Sequence, residues 1–176
     1  MPIVNPEIVH DTGSGDKYPQ PFRGELIVLR RPGVSFEATS KRYGKVSGSG
    51  EVFLSSHRIV FIPKTSSRPD FVSYELEMVE VLNEKFEQPI FGANYISGET
   101  IGPNESEKSV WSLTLHDGGC GTILPVLADL LRRARARSLE TNLFYGVHDS
   151  PIGSIGYLDR SDPSVVLIQT DSSRYS

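Results

Sequence analysis

The sequence predicts a mainly β fold, about seven antiparallel strands curled into a barrel and capped by one C-terminal α-helix. Two observations predict it. From Glu25 to Asp117 the apolar residues come in short runs broken by Gly, Pro, Ser and Asp clusters, the pattern of strands and turns. Helical spacing appears once, and late: Leu127, Leu130, Leu131 and Ala134 stand at i, i+3, i+4 and i+7 and make one apolar stripe.

The elements follow in order. Met1 to Phe22 carries four prolines and the stretch "TGSGD" with little periodicity, and reads as a flexible arm. "ELIVLR" (25–30) is an apolar run ended by Arg31-Pro32-Gly33, which is turn chemistry. "VSFEA" returns with Val34, Phe36 and Ala38 on one face, so the two runs are expected to form a hairpin. "SKRYGKVSGSG" (40–50) reads as a Gly/Ser loop with three cations. It lacks the GxxxxGK[ST] spacing of a phosphate loop and no helix follows it, so a linker between strands is expected. "EVFLS" and "HRIVFI" flank Ser55-Ser56 and give the strongest hairpin signal in the chain.

"PKTSSRPD" (63–70) is a loop. "FVSYELEMVEVL" (71–82) alternates through Leu76, and its later half, Met78–Leu82, fits a strand or a short helix. "EQPIFGANYISG" (87–98) alternates again, with Ile90, Gly92, Asn94 and Ile96 opposite Phe91, Ala93, Tyr95 and Ser97. It is expected to be a structural corner in which Gly92 admits close backbone approach and Phe91 and Tyr95 fill one face; a partner-binding surface is the other reading. "GETIGPNESEK" is a loop, and "SVWSLTLHD" is a strand turned by "DGG". In the helix, Pro125 is placed near the first turn, where its missing N–H costs nothing. Arg132, Arg133, Arg135 and Arg137 crowd the last turns, where cations favour the macrodipole by a few tenths of a kcal/mol each.

A sheet bent this strongly has an open end, and a terminal helix plugs it with its leucine stripe. That is the pleckstrin-homology arrangement. A lipocalin-like barrel shares the strand order but needs more chain than lies between residues 25 and 138. The organisation expected is an arm over 1–22, one domain over 23–138 and a mostly irregular tail over 139–176.

Composition narrows the function. The chain has 176 residues, 38% hydrophobic and 23% charged, with net charge −4. The charge argues against a chain-wide grip on nucleic acid, and four helix arginines without interleaved aromatics are weak evidence for DNA. No apolar run approaches the roughly 20 residues of a membrane span, and the N-terminus lacks a secretory pattern. One cysteine, Cys120, excludes an internal disulfide framework and fits a reducing compartment. Cytoplasmic and/or nuclear localisation is expected, with a peripheral membrane position as the alternative.

His116, Asp117 and Cys120 are close enough in sequence for a Cys–His nucleophile or a zinc site. "HDGGCG" nevertheless has the composition of a hairpin turn, and no second ligand pair such as CxxC exists. His10, His57 and His148 are scattered, and Glu75, Glu77 and Glu80 read as a solvated face. A non-enzymatic protein without catalytic residues, metal or cofactor is the expectation.

Two segments carry a family resemblance. "GEVFLSSHRIVFI" (50–62) resembles the core hairpin of a GRAM domain, and "QPIFGANYISG" (88–98) resembles a segment typical of the WW-domain-binding protein 2 family. "VWSLTL" followed by "DGG" fits the next strand and turn of that family, and the resemblance covers roughly 25 to 138. It implies an intracellular adaptor that binds protein partners, or a nuclear protein of the transcription-coactivator type. Coactivators of this family bind WW domains through PPxY motifs in a proline-rich tail; this sequence contains no PPxY, so WW binding is not carried over. In many pleckstrin-like folds, basic loops at the barrel mouth meet phosphoinositide headgroups. Arg30, Arg31, Lys41, Arg42 and Lys45 are the corresponding candidates here, each worth about 1 kcal/mol near an anionic leaflet. Candidate partner-binding residues are Phe91 and Tyr95 in the "QPIFGANYISG" segment and Phe144 and Tyr145 in "NLFYG". "NLFYG" and "SVVLIQTD" in the tail are apolar islands suited to docking by strand addition.

Overall fold

A computed structural model describes residues 3–101, 108–143, 154–158 and 166–170, with side chains over 4–101 and 108–138. The chain begins with three short strands, β1 (Ile3–Val4), β2 (Ile8–His10) and β3 (Lys17–Pro19). The body follows as β4 (Ile27–Ser40), β5 (Gly44–Ser55), β6 (Arg58–Ser66), β7 (Tyr74–Glu77), β8 (Val81–Glu87), β9 (Asn94–Ile101) and β10 (Lys108–Leu115). One helix, α1 (Cys120–Leu143), closes it, and β11 (Ser154–Leu158) and β12 (Val166–Thr170) lie in the tail.

Strands β4 to β10 form the curled antiparallel sheet the sequence predicts, in the order β7-β6-β5-β4-β10-β9-β8. Strands β7 and β8 are consecutive in the chain yet lie on opposite edges, joined by a single 3-10 turn at Met78–Glu80. That turn resolves the stretch left open as strand or helix. The curl is a half-barrel, and α1 packs into it: Ile123, Leu127, Leu130, Leu131 and Ala134 share one core with Leu29, Phe36, Val52, Tyr74, Met78 and Trp111. On β10, Trp111, Leu113 and Leu115 are buried, as their alternation predicts.

Several local expectations are corrected. Arg31-Pro32-Gly33 does not turn the chain. β4 runs unbroken through it, with its register against β5 shifting between Arg31 and Val34. Gly33 adopts φ 69°, and a Cβ there would stand 1.8 Å from an Asp117 carboxylate oxygen, so this bulge requires glycine. The turn that closes the first hairpin is Ser40–Gly44 instead, and "GKVSGSG" is strand, not loop, pairing with both β4 and β6. β6 likewise continues to Ser66, into the expected loop. Pro125 is not in the first turn, because α1 begins at Cys120. It occupies a second-turn position where it removes one helix hydrogen bond, and the ring is exposed.

The first 22 residues, read from their composition as a flexible arm, carry structure. Ile3 and Val4 pair with Glu75 and Tyr74 at the edge of β7. Asn5, at φ 60°, brackets the next turn: its side-chain amide donates to the Asp70 carbonyl and its oxygen accepts from the N–H groups of Val72 and Ser73. β2 and β3 then form a separate two-stranded hairpin. In the tail, β11 and β12 pair with each other, and β11 meets β4 in parallel at Ile155 and Ile27.

Candidate functional site

The segment "QPIFGAN" is a protruding loop rather than a strand corner. β8 ends at Glu87 and β9 begins at Asn94. Between them Ile90 is 93% exposed and Phe91 92% exposed. Phe91 therefore fills no packed face, contrary to the alternation reading. Gly92 is not needed for close approach either, since a Cβ there would meet only Pro89, at 3.8 Å; it is needed for its φ of 115°. Tyr95 stands half-buried on β9, opposite Thr114 of β10 and Glu87 of β8. The base of the loop is tied to the start of α1 by Asn94 Nδ2, which donates to Cys120 Sγ at 3.4 Å. Two large apolar side chains are thus held out in water at one end of the half-barrel. Phe144 and Tyr145 lie outside the described residues.

The five candidate lipid cations do not form one edge. Arg31 is 8% exposed and donates to the carbonyls of Asp117 and Gly118 at 2.9 and 2.8 Å, pinning the β4 bulge to the turn before α1. Arg30 points to the opposite face, where it pairs with Asp16 at 3.0 Å and Glu51 at 2.6 Å. Lys41 and Arg42 are exposed at the far end of β4, in the Ser40–Gly44 turn, and Lys45 pairs with Glu37 at 2.9 Å. Sequence adjacency grouped residues that one strand carries to different places.

The turn "HDGGC" does not assemble a Cys–His pair in the described contacts. His116 Nε2 is hydrogen-bonded to Ser35 Oγ at 2.7 Å, which in turn meets Ser49 Oγ at 3.0 Å. Cys120 is half-buried against Asn94. Among the described residues, no group of three or more His, Cys, Asp or Glu side chains is placed to hold a metal ion.

A second apolar surface lies on the outer face of β4–β6, and sequence reasoning missed it. Ile27, Phe53, Val60 and Ile62 form their own buried cluster, separate from the main core and covered by Ile8 and Tyr18 of the arm. The Tyr18 ring meets Phe53 edge-on at 6.0 Å. Arg30 lies over Tyr18 at 5.1 Å from the ring centre, and its guanidinium also donates to the Tyr18 hydroxyl at 3.2 Å. The hydrogen bonds from Arg30 hold the Asp16 carboxyl at about 2, well below the usual carboxylate range.

The arm is locked further along by a buried ionic cluster. Arg58, 2% exposed, binds Glu25 through Nε at 2.7 Å and Nη2 at 2.9 Å, and also binds Glu75 and the Gln20 carbonyl. The Phe22 ring covers the guanidinium at 3.8 Å. The two carboxylates differ. Burial pushes Glu25 up, but hydrogen bonds from Arg58, Ser55 and the Phe22 N–H outweigh it and hold the carboxyl low. Burial also pushes Glu75 up, and there Arg58 only partly offsets it, so that carboxyl titrates above its ordinary range.

With this geometry in view, likeness to known proteins adds a direction. No protein-family model matches the chain. It is similar to the postacrosomal sheath WW domain-binding protein of Homo sapiens, 35% identical over 79 residues. That match covers 43% of this chain and 26% of the relative, so the chain matches about a quarter of that protein's length. A chain in a solved structure titled "The 8S snRNP Assembly Intermediate" aligns with 13% identity over 77% of this chain and 92% of its own, at TM-score 0.42, a likeness too slight to carry an argument. Among the described residues no helix is long and apolar enough to cross a membrane.

Proposed function

We propose that this chain is a non-enzymatic adaptor, working in the cytoplasm or nucleus, that captures a protein partner through the loop at residues 88–93. Ile90 and Phe91 are its apolar anchors and Tyr95 flanks them. The observation that carries the reading is the exposure of the two neighbouring side chains, 93% and 92%. Single exposed apolar residues are ordinary, but an adjacent pair of large ones is costly unless another surface covers it. Large apolar side chains that fill a partner's pocket are the usual source of binding energy at interfaces. The strand leading into the loop offers no cationic cluster to an anionic membrane: Glu84 pairs with Arg135 at 2.7 Å, and Lys85 stands beside Glu87. The relative's printed name describes a WW domain-binding protein; binding to a protein is the part of that description taken up here, and WW-domain recognition is not, because no PPxY is present.

The test is proximity labelling in cells with the full chain and its Ile90→Ser/Phe91→Ser variant. The variant is expected to keep its melting temperature and lose a discrete set of labelled proteins. An unchanged labelled set for a folded variant overturns the proposal.

A further inference from the structure

We infer that residues 7–19 are a flap over a second docking surface, the apolar outer face of β4–β6, which takes an extended partner segment presenting an apolar or aromatic side chain beside an acid. The reading is independent of the loop at 88–93 and concerns the opposite treatment of apolar surface.

Three features make the hairpin a flap rather than a part of the sheet. Among the described residues β2 and β3 pair only with each other and share no ladder with the large sheet, so lifting them breaks no described main-chain ladder. The hairpin is tethered at both ends, by the Asn5 bracket on one side and by the Arg58–Glu25 lock on the other. It can therefore open without detaching. Its own fit is incomplete, since a cleft of about 270 Å³ remains between the hairpin tip at Gly15–Lys17 and Arg30, Glu51, Pro63 and Lys64.

The flap's contacts specify what can replace it. Ile8 and Tyr18 cover Ile27, Phe53, Val60 and Ile62, and Asp16 reaches Arg30. A competitor must offer the same pair of chemistries, apolar cover and a carboxylate two positions from an aromatic residue. Lys64, exposed and paired with Glu51 at 2.8 Å, adds a second cation at the cleft rim. Because the flap is tethered, it competes at high effective concentration and masks the surface until a partner of sufficient affinity arrives.

A fluorescent peptide of residues 7–20 is the probe, added in trans to the wild-type full chain and to an Ile8→Ser/Tyr18→Ala variant whose flap is loosened while the surface stays intact. Anisotropy is expected to show at least tenfold tighter binding to the variant, lost when the peptide carries Asp16→Lys. Equal affinity for both chains, or no binding by a variant with native near-UV dichroism, overturns the inference. A wild-type dimer that exchanges flaps, seen by light scattering, overturns it in favour of self-association. Should the variant not fold, hydrogen exchange on the wild type decides. Amides of residues 8–18 exchanging at least tenfold faster than those of Val52–Leu54 support the flap; exchange of both only by global unfolding overturns it.

Discussion

Ile90 and Phe91 stand in solvent at the end of β8, whereas Ile27, Phe53, Val60 and Ile62 lie hidden under the arm. Both groups are apolar and both lie outside the main core. They differ in extent and in what surrounds them. Two side chains on a loop present a small target. Four side chains on three adjacent strands would present a flat apolar sheet face, the kind of surface that invites indiscriminate association. The arm covers that face, and two arginines fix the cover. The bare pair has no such anchor. Of these two apolar groups, the larger is covered and the smaller is bare.

Experiments can sharpen that contrast, beginning with the largest effect. Arg58→Ala leaves Glu25 and Glu75 buried without their cation, and urea unfolding is expected to show a loss of roughly 3–5 kcal/mol. Leu131→Ala, in the main core, is expected to cost about 2–5 kcal/mol by the same measurement. If Arg58→Ala costs much less than Leu131→Ala, the lock is not what holds the arm.

Acid separates the two carboxylates of the lock. Glu25 is held low, so its contribution is present above the ordinary carboxylate range and is lost as pH falls through its folded value. Glu75 is raised, so its contribution is present below that range and is lost as pH rises through its folded value. Stability measured between pH 3 and 7 should therefore fall less on acidification in Glu25→Gln and more in Glu75→Gln, each by at most about 1.4 kcal/mol per pH unit. The reverse order would mean that the proton resides on the other carboxylate.

Tyr18→Ala removes the edge contact with Phe53 and the ring under Arg30, a loss of roughly 1–2 kcal/mol with faster proteolysis between residues 7 and 19. The smallest effect belongs to the bare pair. Ile90→Ser/Phe91→Ser should alter stability by no more than about 0.5 kcal/mol, since neither side chain packs on the fold. A larger loss would mean that the loop supports the half-barrel.

The sheet and its helical cap were legible because they rest on local patterns: the leucine stripe of α1, the alternation on β10 and the paired runs of β5 and β6. The β4 bulge was not. Arg31-Pro32-Gly33 suits a turn and a bulge equally well, and the choice is made by β10, whose Leu115 pairs with Val34 far along the chain. The loop at 88–93 alternates in sequence without being a strand, because alternation says nothing about whether a neighbour exists to pair with. The covered face did leave a trace. "VFL" and "IVFI" are continuous apolar runs, which indicate strands buried on both sides. That pattern announced a cover without saying that the proline-rich arm supplies it. Arg58 and Glu25, separated by thirty-three positions, gave no local sign of their pairing.

The central place of β4 bears on synthesis. As the chain is made, β4 meets β5 next, but β10, its long antiparallel neighbour on the other side, arrives only with Lys108–Leu115. Until then the β4–β6 meander has no closed interior, and the leucines of α1 come later still. Such non-local closure is slow, so a nascent chain carries its aromatic residues half-sheltered until β10 and α1 have been made. The residues that shelter the outer side, 8–18, are already made.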